Sequence, residues 1–201
     1  MINLGVLISG GGSNLQAIID AVADGALDAS IKLVVSSKND VYGLTRAEQA
    51  GIPTLALTKD DYVDPLAADE RIASALLDAQ VDYVVMAGYM RMVREPLLKA
   101  FPNKIINLHP ALLPSFPGAH GIADAFDYGV KLTGVTIHFA NEAYDEGAII
   151  AQEAVAVAED DTLESLEEKI HAVEHKLYPQ ALQLLAQGCV VIGEDGKVRI
   201  L

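Results

Sequence analysis

Two polar side chains that suit acyl-transfer chemistry stand together near the middle of the sequence. In Asn107-Leu108-His109-Pro110, Asn107 and His109 are two positions apart, so in an extended chain they share one face. An amide N–H beside an imidazole can donate hydrogen bonds to an oxygen that becomes negative when a carbonyl is attacked. The pair therefore predicts an acyl-transfer site, although a buried histidine that bonds loop carbonyls would leave the same pattern.

A carboxylate follows in Tyr144-Asp145-Glu146-Gly147, between two β-like runs. Asp145 could orient an imidazole or relay a proton during such a reaction. Taken alone, however, Asp and Gly are typical of a plain turn.

A glycine-rich loop at residues 10–14 follows the first predicted strand and opens a helix. Glycines let backbone N–H groups approach an anion, and a helix N-terminus adds a favourable partial charge. Ser13 or Asn14 can cap the helix or bind a phosphate oxygen. The loop is not a Walker A motif, and Leu15 stands where a G-x-G-x-x-G motif has its third glycine. The pattern fits either a phosphate site or a tight turn.

One further motif suggests metal binding. His171-Ala172-Val173-Glu174-His175 matches the zinc pattern H-x-x-E-H, with two histidines one helical turn apart. Two ligands do not complete a catalytic metal site, and helices rich in Glu and His match this short pattern by chance. The other interpretations are a plain helix face, or a face on which Glu174 binds a substrate hydroxyl. For His120 and His138 we expect packing or structural hydrogen bonds.

The elements that must position these residues alternate between strands and helices. Strands are predicted at residues 3–9, 31–35, 53–57, 81–87 and 105–108, with helices at 15–22, 41–50, 67–79 and 96–100. This alternation predicts an α/β fold: an open, mostly parallel twisted sheet of Rossmann-like type with helices on both faces. Ligands of such sheets bind at the carboxyl ends of strands, where Asn107 and His109 lie.

The pattern changes after residue 108. Three prolines predict an irregular loop at 109–119, followed by a helix at 122–128 and β-like runs at 134–140 and 148–157 that extend the sheet with antiparallel strands. A capping-box signal at 161–164 begins a long helix that Gly188 ends, and residues 190–201 predict a closing hairpin. We expect one domain with two halves, residues 1–108 and 109–201.

Composition limits the possible functions. Apolar residues make up 51% of the 201 residues, enough for a sizeable core, and the net charge of −14 argues against a nucleic-acid surface. An anion site must therefore be built locally, from backbone N–H groups and a few side chains. No apolar run reaches the ~18 residues of a membrane span. The single cysteine, Cys189, and the lack of a signal-peptide pattern lead us to expect a cytoplasmic protein.

Five segments carry a resemblance to a known family. They are VLISGGGSNLQAI (6–18), MAGYMR (86–91), INLHPALLPSFPG (106–118), GVTIHF (134–139) and EHKLYP (174–179). In this order, and nearly end to end, the chain resembles the phosphoribosylglycinamide formyltransferases, which are folate-dependent formyltransferases.

The resemblance implies a single formyltransferase domain and a defined reaction. The formyl group of the co-substrate 10-formyltetrahydrofolate would pass to the amine of 5-phosphoribosylglycinamide, in de novo purine biosynthesis. Asn107 and His109 would stabilise the tetrahedral intermediate, and Asp145 would assist proton transfer. It implies no metal, no nucleic-acid partner and no membrane, and a monomer or homodimer.

The resemblance also assigns binding residues to the two halves. The residues implied for the ribonucleotide are Gly12, Ser13, Asn14, Gly88, His171 and Glu174. Those implied for the folate are Met90, Arg91, Met92, Val93, Asn107, Asn141 and Asp145. His171 stands where family members commonly have Gln, and we predict that it binds phosphate when protonated. The Leu113–Pro114 bond is expected to be cis.

Two departures from the family pattern stand out. Residues 59–66 are acidic where members often carry an arginine for the folate glutamate tail, which leaves Lys59 or Arg71 as substitutes. Residues 145–148 read Asp-Glu-Gly-Ala in place of Asp-Gly-Gly-Pro, which predicts a different loop mobility. The alternatives are a formyltetrahydrofolate deformylase, a methionyl-tRNA formyltransferase and a non-catalytic phosphometabolite-binding protein. The first two usually carry an additional domain that we do not expect here.

Overall fold

The computed structural model describes residues 1–201, which form two compact units, Met1–Ile106 and Asn107–Leu201. Seven strands belong to a mostly parallel sheet with helices on both faces, and two more form a small antiparallel sheet. The predicted fold class is therefore confirmed. The roles predicted for residues 1–108 and 109–201 stay predictions.

The first unit alternates strands and helices in the predicted order. Its elements are β1 (Ile2–Ile8), α1 (Ser13–Ala23), β2 (Ala29–Ser36), α2 (Tyr42–Gln49), β3 (Thr54–Ala56), α3 (Pro65–Asp78), β4 (Tyr83–Met86) and α4 (Glu95–Ala100), and β5 (Ile105–His109) begins at its end. Within the unit the strand order is β3-β2-β1-β4, and each neighbouring pair is parallel. A 3-10 turn at Asp61–Val63, which the periodicity does not indicate, precedes α3.

Burial explains why these strands are nearly continuous apolar runs. In β1, residues 4–8 are buried, with Leu4, Val6, Leu7 and Ile8 fully inaccessible. A parallel strand covered on both faces has no solvent side, so its residues do not alternate between apolar and polar. The helix α3 carries conventional start signals: Pro65 opens it, and the Asp64 carboxylate accepts from the N–H groups of Leu66 and Ala67.

The second unit contains α5 (Gly121–Tyr128), β6 (Leu132–Phe139), β7 (Ile149–Ala156), α6 (Leu163–Ala186), β8 (Val190–Ile192) and β9 (Val198–Ile200). The β6–β7 and β8–β9 pairs are antiparallel, as predicted. In the β6–β7 pair the register shifts between Ile137 and His138, because Ile137 faces Ala151 whereas His138 faces Ile149. Ile150 is therefore the extra residue of a β-bulge.

The long helix α6 begins one residue later than its sequence signal suggested. Thr162 is the N-cap: its hydroxyl accepts from the Ser165 N–H, and the Ser165 hydroxyl accepts from the Thr162 N–H. Glu164 is therefore not the box partner. Asp161 instead accepts from Lys169 and Ser165, and the hydrogen bond from Lys169 leads the causes that lower its pKa to about 2. None of the helices has the length and apolarity needed to cross a membrane.

Candidate active site

The glycine-rich loop after β1 is shaped by backbone contacts with the start of α2. Gly12 caps α1 in a left-handed conformation (φ +71°), which glycine adopts without steric cost. The Gly43 N–H donates to the Gly10 carbonyl oxygen at 3.1 Å. A Cβ atom on Gly12 would lie 2.8 Å from the Gly43 Cα, so this close approach requires glycine. Ser13 opens α1, and Asn14 is buried in its first turn.

The segment at residues 88–93 follows β4 without regular secondary structure, and hydrogen bonds hold its backbone. Gly88 is left-handed (φ +75°), which turns the chain. The Met90 N–H donates to the Ser9 hydroxyl oxygen at 2.8 Å, and the Ser9 and Ser37 hydroxyls are hydrogen-bonded at 2.6 Å. Ser9 ends the first strand region, so a buried pair of serines ties this segment to the glycine-rich loop within the first unit.

The far end of the same segment rests on a buried carboxylate. The Arg94 N–H donates to Asp69 on α3 at 2.6 Å, and Asp69 is almost inaccessible to solvent. Burial raises the pKa of Asp69, and the hydrogen bond from the Arg94 backbone opposes that rise. Met90 and Met92 remain exposed between the two anchors, whereas Val93 is buried. An apolar surface on a fixed backbone suits the edge of a flat ring.

Two tyrosines and an arginine add a contact that the sequence did not indicate. The Tyr62 and Tyr89 hydroxyls are hydrogen-bonded at 2.8 Å, and the Arg91 guanidinium lies 4.3 Å from the centre of the Tyr62 ring. Burial raises the pKa of both tyrosines, so both hydroxyls keep their protons near neutral pH. Arg71, one predicted substitute for tail binding, instead pairs with Asp61 in the acidic loop.

In the second unit, Asn107, His109 and Asp145 come together, as the acyl-transfer hypothesis requires. His109 Nδ1 lies 3.3 Å from Asp145 Oδ2, and His109 Nε2 lies 2.8 Å from the Phe116 carbonyl oxygen. The Asn107 amide donates to Asp145 Oδ1 at 3.4 Å. Both ring nitrogens of His109 thus face acceptors, an arrangement that a doubly protonated, positively charged ring satisfies.

Asp145 is held in this group by its own backbone and by a glycine N–H. It has a left-handed conformation (φ +56°), unusual for a residue with a side chain, and it is buried. The Gly118 N–H donates to Oδ2 at 2.9 Å. Burial raises the pKa of Asp145, but the His138 and Gly118 hydrogen bonds and the His109 charge together lower it below its usual value. The carboxylate is therefore ionised near neutral pH.

His138 is a fourth member of the group, and the sequence analysis missed it. Its Nε2 lies 3.1 Å from the Asn107 amide nitrogen and 3.6 Å from Asp145 Oδ1, and its Nδ1 lies 3.0 Å from the Phe139 carbonyl oxygen. Nε2 is thus within reach of both the Asn107 amide and the Asp145 carboxylate, and the tautomer of the ring decides which of the two it bonds. The available signal was a single histidine between apolar neighbours in a strand, with its side chain alternating away from Ile137 and Phe139.

The helix α6 carries the remaining predicted residues of the second unit. His171 Nδ1 lies 3.0 Å from Glu174 Oε2; Glu174 is buried and His171 is half-exposed. The hydrogen bond that the His171 ring donates to Glu174 raises the pKa of His171, against the opposing effect of burial. The His171 and His175 rings are stacked with centres 6.3 Å apart. No group of three or more His, Cys, Asp or Glu side chains is arranged to hold a metal ion.

Other sequence expectations are also resolved. The Leu113–Pro114 peptide bond is cis, as expected. His120 stands at the N-cap of α5, and Cys189 is a free thiol. Asn141 is exposed, and its side chain accepts from the Ala143 N–H at 3.1 Å, which begins the turn that leads to Asp145.

Comparison with known proteins decides the family. The formyl transferase family model matches residues 2–182, about nine-tenths of the chain. The chain belongs to the formyl transferase family. This membership confirms the resemblance on which the residue roles were based.

Named relatives within the formyl transferase family agree with one another. The phosphoribosylglycinamide formyltransferase of Bacillus subtilis (strain 168) is 42% identical over 180 residues, which cover 90% of this chain and 92% of that protein. The trifunctional purine biosynthetic protein adenosine-3 of Bos taurus is 45% identical over 193 residues, but this chain spans only 19% of its length. A crystal structure of glycinamide ribonucleotide transformylase 1 from Symbiobacterium toebii is 48% identical, covers 100% of this chain and 94% of its own, and superposes with a TM-score of 0.97.

Proposed function

We propose that this protein is a phosphoribosylglycinamide formyltransferase, which transfers the formyl group of 10-formyltetrahydrofolate to the amine of 5-phosphoribosylglycinamide. The observation that carries the proposal is the group formed by partly buried Asn107 with buried His109 and Asp145 in a formyl transferase chain. The named activity of the Bacillus subtilis relative, matched over nearly all of both chains, supports the choice of substrates. A cytoplasmic place in de novo purine biosynthesis, as a monomer or homodimer, belongs to the same proposal.

The reaction begins with attack of the substrate amine on the formyl carbon. A carbon–nitrogen bond forms, and the carbonyl π electrons move to the oxygen, which becomes negative. Asn107 and protonated His109 donate hydrogen bonds to that oxygen, each worth about 3–4 kcal/mol of transition-state stabilisation. In the free protein these donors are engaged by Asp145, His138 and the Phe116 carbonyl, so the substrate oxygen replaces one of those acceptors.

Proton movement then completes the transfer. The attacking nitrogen loses a proton, the bond between the formyl carbon and the folate nitrogen breaks, and that folate nitrogen gains a proton. Asp145, ionised because its pKa is lowered, stabilises positive charge on the His109 ring during the reaction and relays the proton directly or through water. His138, whose Nε2 lies 3.1 Å from the Asn107 amide nitrogen, helps to orient that amide.

The binding residues follow the family pattern in each unit. In the first unit, Gly12, Ser13 and Asn14 hold the phosphate at the start of α1, with Gly88 contributing to the ribonucleotide site. The fixed backbone and apolar side chains of Met90, Arg91, Met92 and Val93 bind the folate ring. In the second unit, buried Glu174 accepts from the ribose hydroxyls, and protonated His171 binds phosphate. Asn141, with the catalytic Asn107 and Asp145, completes the folate site.

The proposal is tested with purified protein, the ribonucleotide and 10-formyltetrahydrofolate, following the deformylated folate by absorbance. Turnover that requires the ribonucleotide supports the proposal. Equal turnover without it would identify a deformylase, and no turnover with both substrates bound would identify a non-catalytic binding protein. The variant His109→Ala should bind the ribonucleotide normally and lose turnover, whereas exposed His120→Ala, the matched control, should retain both.

A further inference from the structure

The guanidinium group of Arg46, on α2, lies against the glycine-rich loop. Its Nε donates to the Gly11 carbonyl oxygen at 2.9 Å, and its Nη1 donates to the Gln16 side-chain oxygen at 2.9 Å. The guanidinium carbon lies 4.8 Å from the centre of the Tyr42 ring. A planar group held along two hydrogen-bond directions and stacked on a ring has little freedom left. Arg46 is thus fixed relative to the loop, and its position is not explained by any role described above.

The helix that carries Arg46 meets the loop at a second point. The Gly43 N–H donates to the Gly10 carbonyl oxygen. A Cβ atom on Gly43 would lie 2.9 Å from that oxygen and 2.6 Å from the Ile8 side chain. Because both surfaces are glycine backbone, α2 sets the position of residues 10–12 directly.

Together these contacts decide which way the loop presents its polar groups. The carbonyl oxygens of Gly10 and Gly11 both accept hydrogen bonds from residues of α2. A carbonyl oxygen carries the negative end of the peptide dipole, so an unrestrained one beside the loop would repel a phosphate. Arg46 also brings a positive charge to the loop of a chain whose net charge is −14.

We infer that Arg46 is a positioning residue for the phosphate site: it holds the Gly11 carbonyl on α2, keeps residues 12–14 open to the phosphate, and offsets local repulsion of the anion. This inference rests on the proposed function, since it concerns the loop assigned to the ribonucleotide phosphate. Arg46 acts through Gly11 and Gln16 and touches no reacting atom.

The test compares three variants in the formyl-transfer assay. Arg46→Met removes both the hydrogen bonds and the charge, so it should raise the KM for the ribonucleotide about tenfold, with kcat and the KM for folate within about twofold of wild type. Arg46→Lys keeps the charge but lacks the forked N–H donors of a guanidinium, so its KM for the ribonucleotide should lie between those of wild type and Arg46→Met. Lys99→Met, a control on α4, removes an exposed charge and should change neither KM.

Inorganic phosphate, used as a competitive inhibitor, supplies a readout of the anion site alone. Its inhibition constant should rise in Arg46→Met in proportion to the ribonucleotide KM. An unchanged ribonucleotide KM in Arg46→Met overturns the inference, as does an equal loss for both substrates. Thermal melts identify a folding defect. If Arg46→Met has one, the test passes to Arg46→Lys: a raised ribonucleotide KM supports the inference, and an unchanged KM or an equal loss for both substrates overturns it. If wild-type protein shows no turnover, the proposed function fails, whereas normal wild-type turnover with an unaffected Arg46→Met defeats this inference alone.

Discussion

The variant Asp145→Asn tests the catalytic group most directly because it preserves the shape of the side chain while changing its charge and its pattern of donors and acceptors. Asp145 Oδ2 faces the Gly118 N–H at 2.9 Å and the His109 ring, and Oδ1 faces the Asn107 amide at 3.4 Å. In either orientation of the new amide, its NH₂ group points at one of these donors. The substitution therefore removes a charge and also leaves a buried donor without an acceptor.

The expected magnitude follows from these partners. Hydrogen bonds to charged groups contribute about 1.5–3 kcal/mol each, so we expect the free energy of unfolding at pH 7 to fall by about 2 kcal/mol. Loss of the carboxylate that lies against His109 and relays a proton should lower kcat by about 10²–10⁴-fold. Because the pKa of Asp145 is lowered in the folded protein, its stabilisation is present above the usual aspartate pKa and is lost as pH falls through the lowered value.

The control lies one position along the same loop. Glu146→Gln makes the same chemical change at an exposed carboxylate, so its kcat and its urea midpoint at pH 7 should match wild type. Both variants would be assayed for turnover at saturating substrates and unfolded in urea at pH 7. If Asp145→Asn retains kcat within about threefold of wild type, the assignment of Asp145 to the catalytic group is wrong.

Three further predictions concern other parts of the two sites. Since the pKa of His171 is raised, the ribonucleotide KM of wild type should be lowest at acid pH and increase as pH rises through that pKa. The KM of His171→Gln should stay constant over pH 5.5–8, and identical KM profiles for the two proteins would contradict phosphate binding by His171. Tyr62→Phe should lose about 1 kcal/mol in urea unfolding, because the Tyr89 hydroxyl loses its partner, while exposed Tyr128→Phe should not differ from wild type. Gly12→Ala should destabilise by about 1–2 kcal/mol and raise the ribonucleotide KM, since it forces a left-handed alanine against α2; normal values for both would show that the loop can shift.

Periodic features of the fold were predictable because each depends on neighbours close in sequence. The alternation of strands and helices and the antiparallel β6–β7 pair agree with the sequence analysis. The cis bond before Pro114 also agrees, but that expectation came from the family resemblance. The predicted ends of helices were less accurate where local signals compete. Asp161 and Thr162 are both good N-caps, and only the structure shows that Thr162 takes the role while Asp161 binds Lys169.

The candidate sites were only partly predictable, because they depend on contacts between residues that are far apart in sequence. The family pattern supplied Asp145, since a carboxylate beside glycine is typical of any turn. His138 and Asn107 are 31 residues apart in sequence and meet only because β6 places His138 beside Asn107. No local sequence pattern encodes that contact. The Tyr62–Tyr89 and Arg46–Gly11 contacts link segments 27 and 35 residues apart, and were missed for the same reason.

The bulge at Ile150 has a consequence for how the chain tolerates changes in length. Within the paired stretch, eight residues of β7 (149–156) lie against seven of β6 (132–138), and the loop that precedes β7 carries Asp145, whose Oδ2 lies 3.3 Å from His109 Nδ1. Deleting Ile150 would restore an uninterrupted ladder, but it would also draw the loop along by one strand position, about 3.3 Å. That displacement is as large as the 3.3 Å distance between Asp145 Oδ2 and His109 Nδ1. A shorter β7 would thus give a more regular sheet in which aspartate and histidine no longer meet, so the count of residues in this strand is as much a part of the site as their identity.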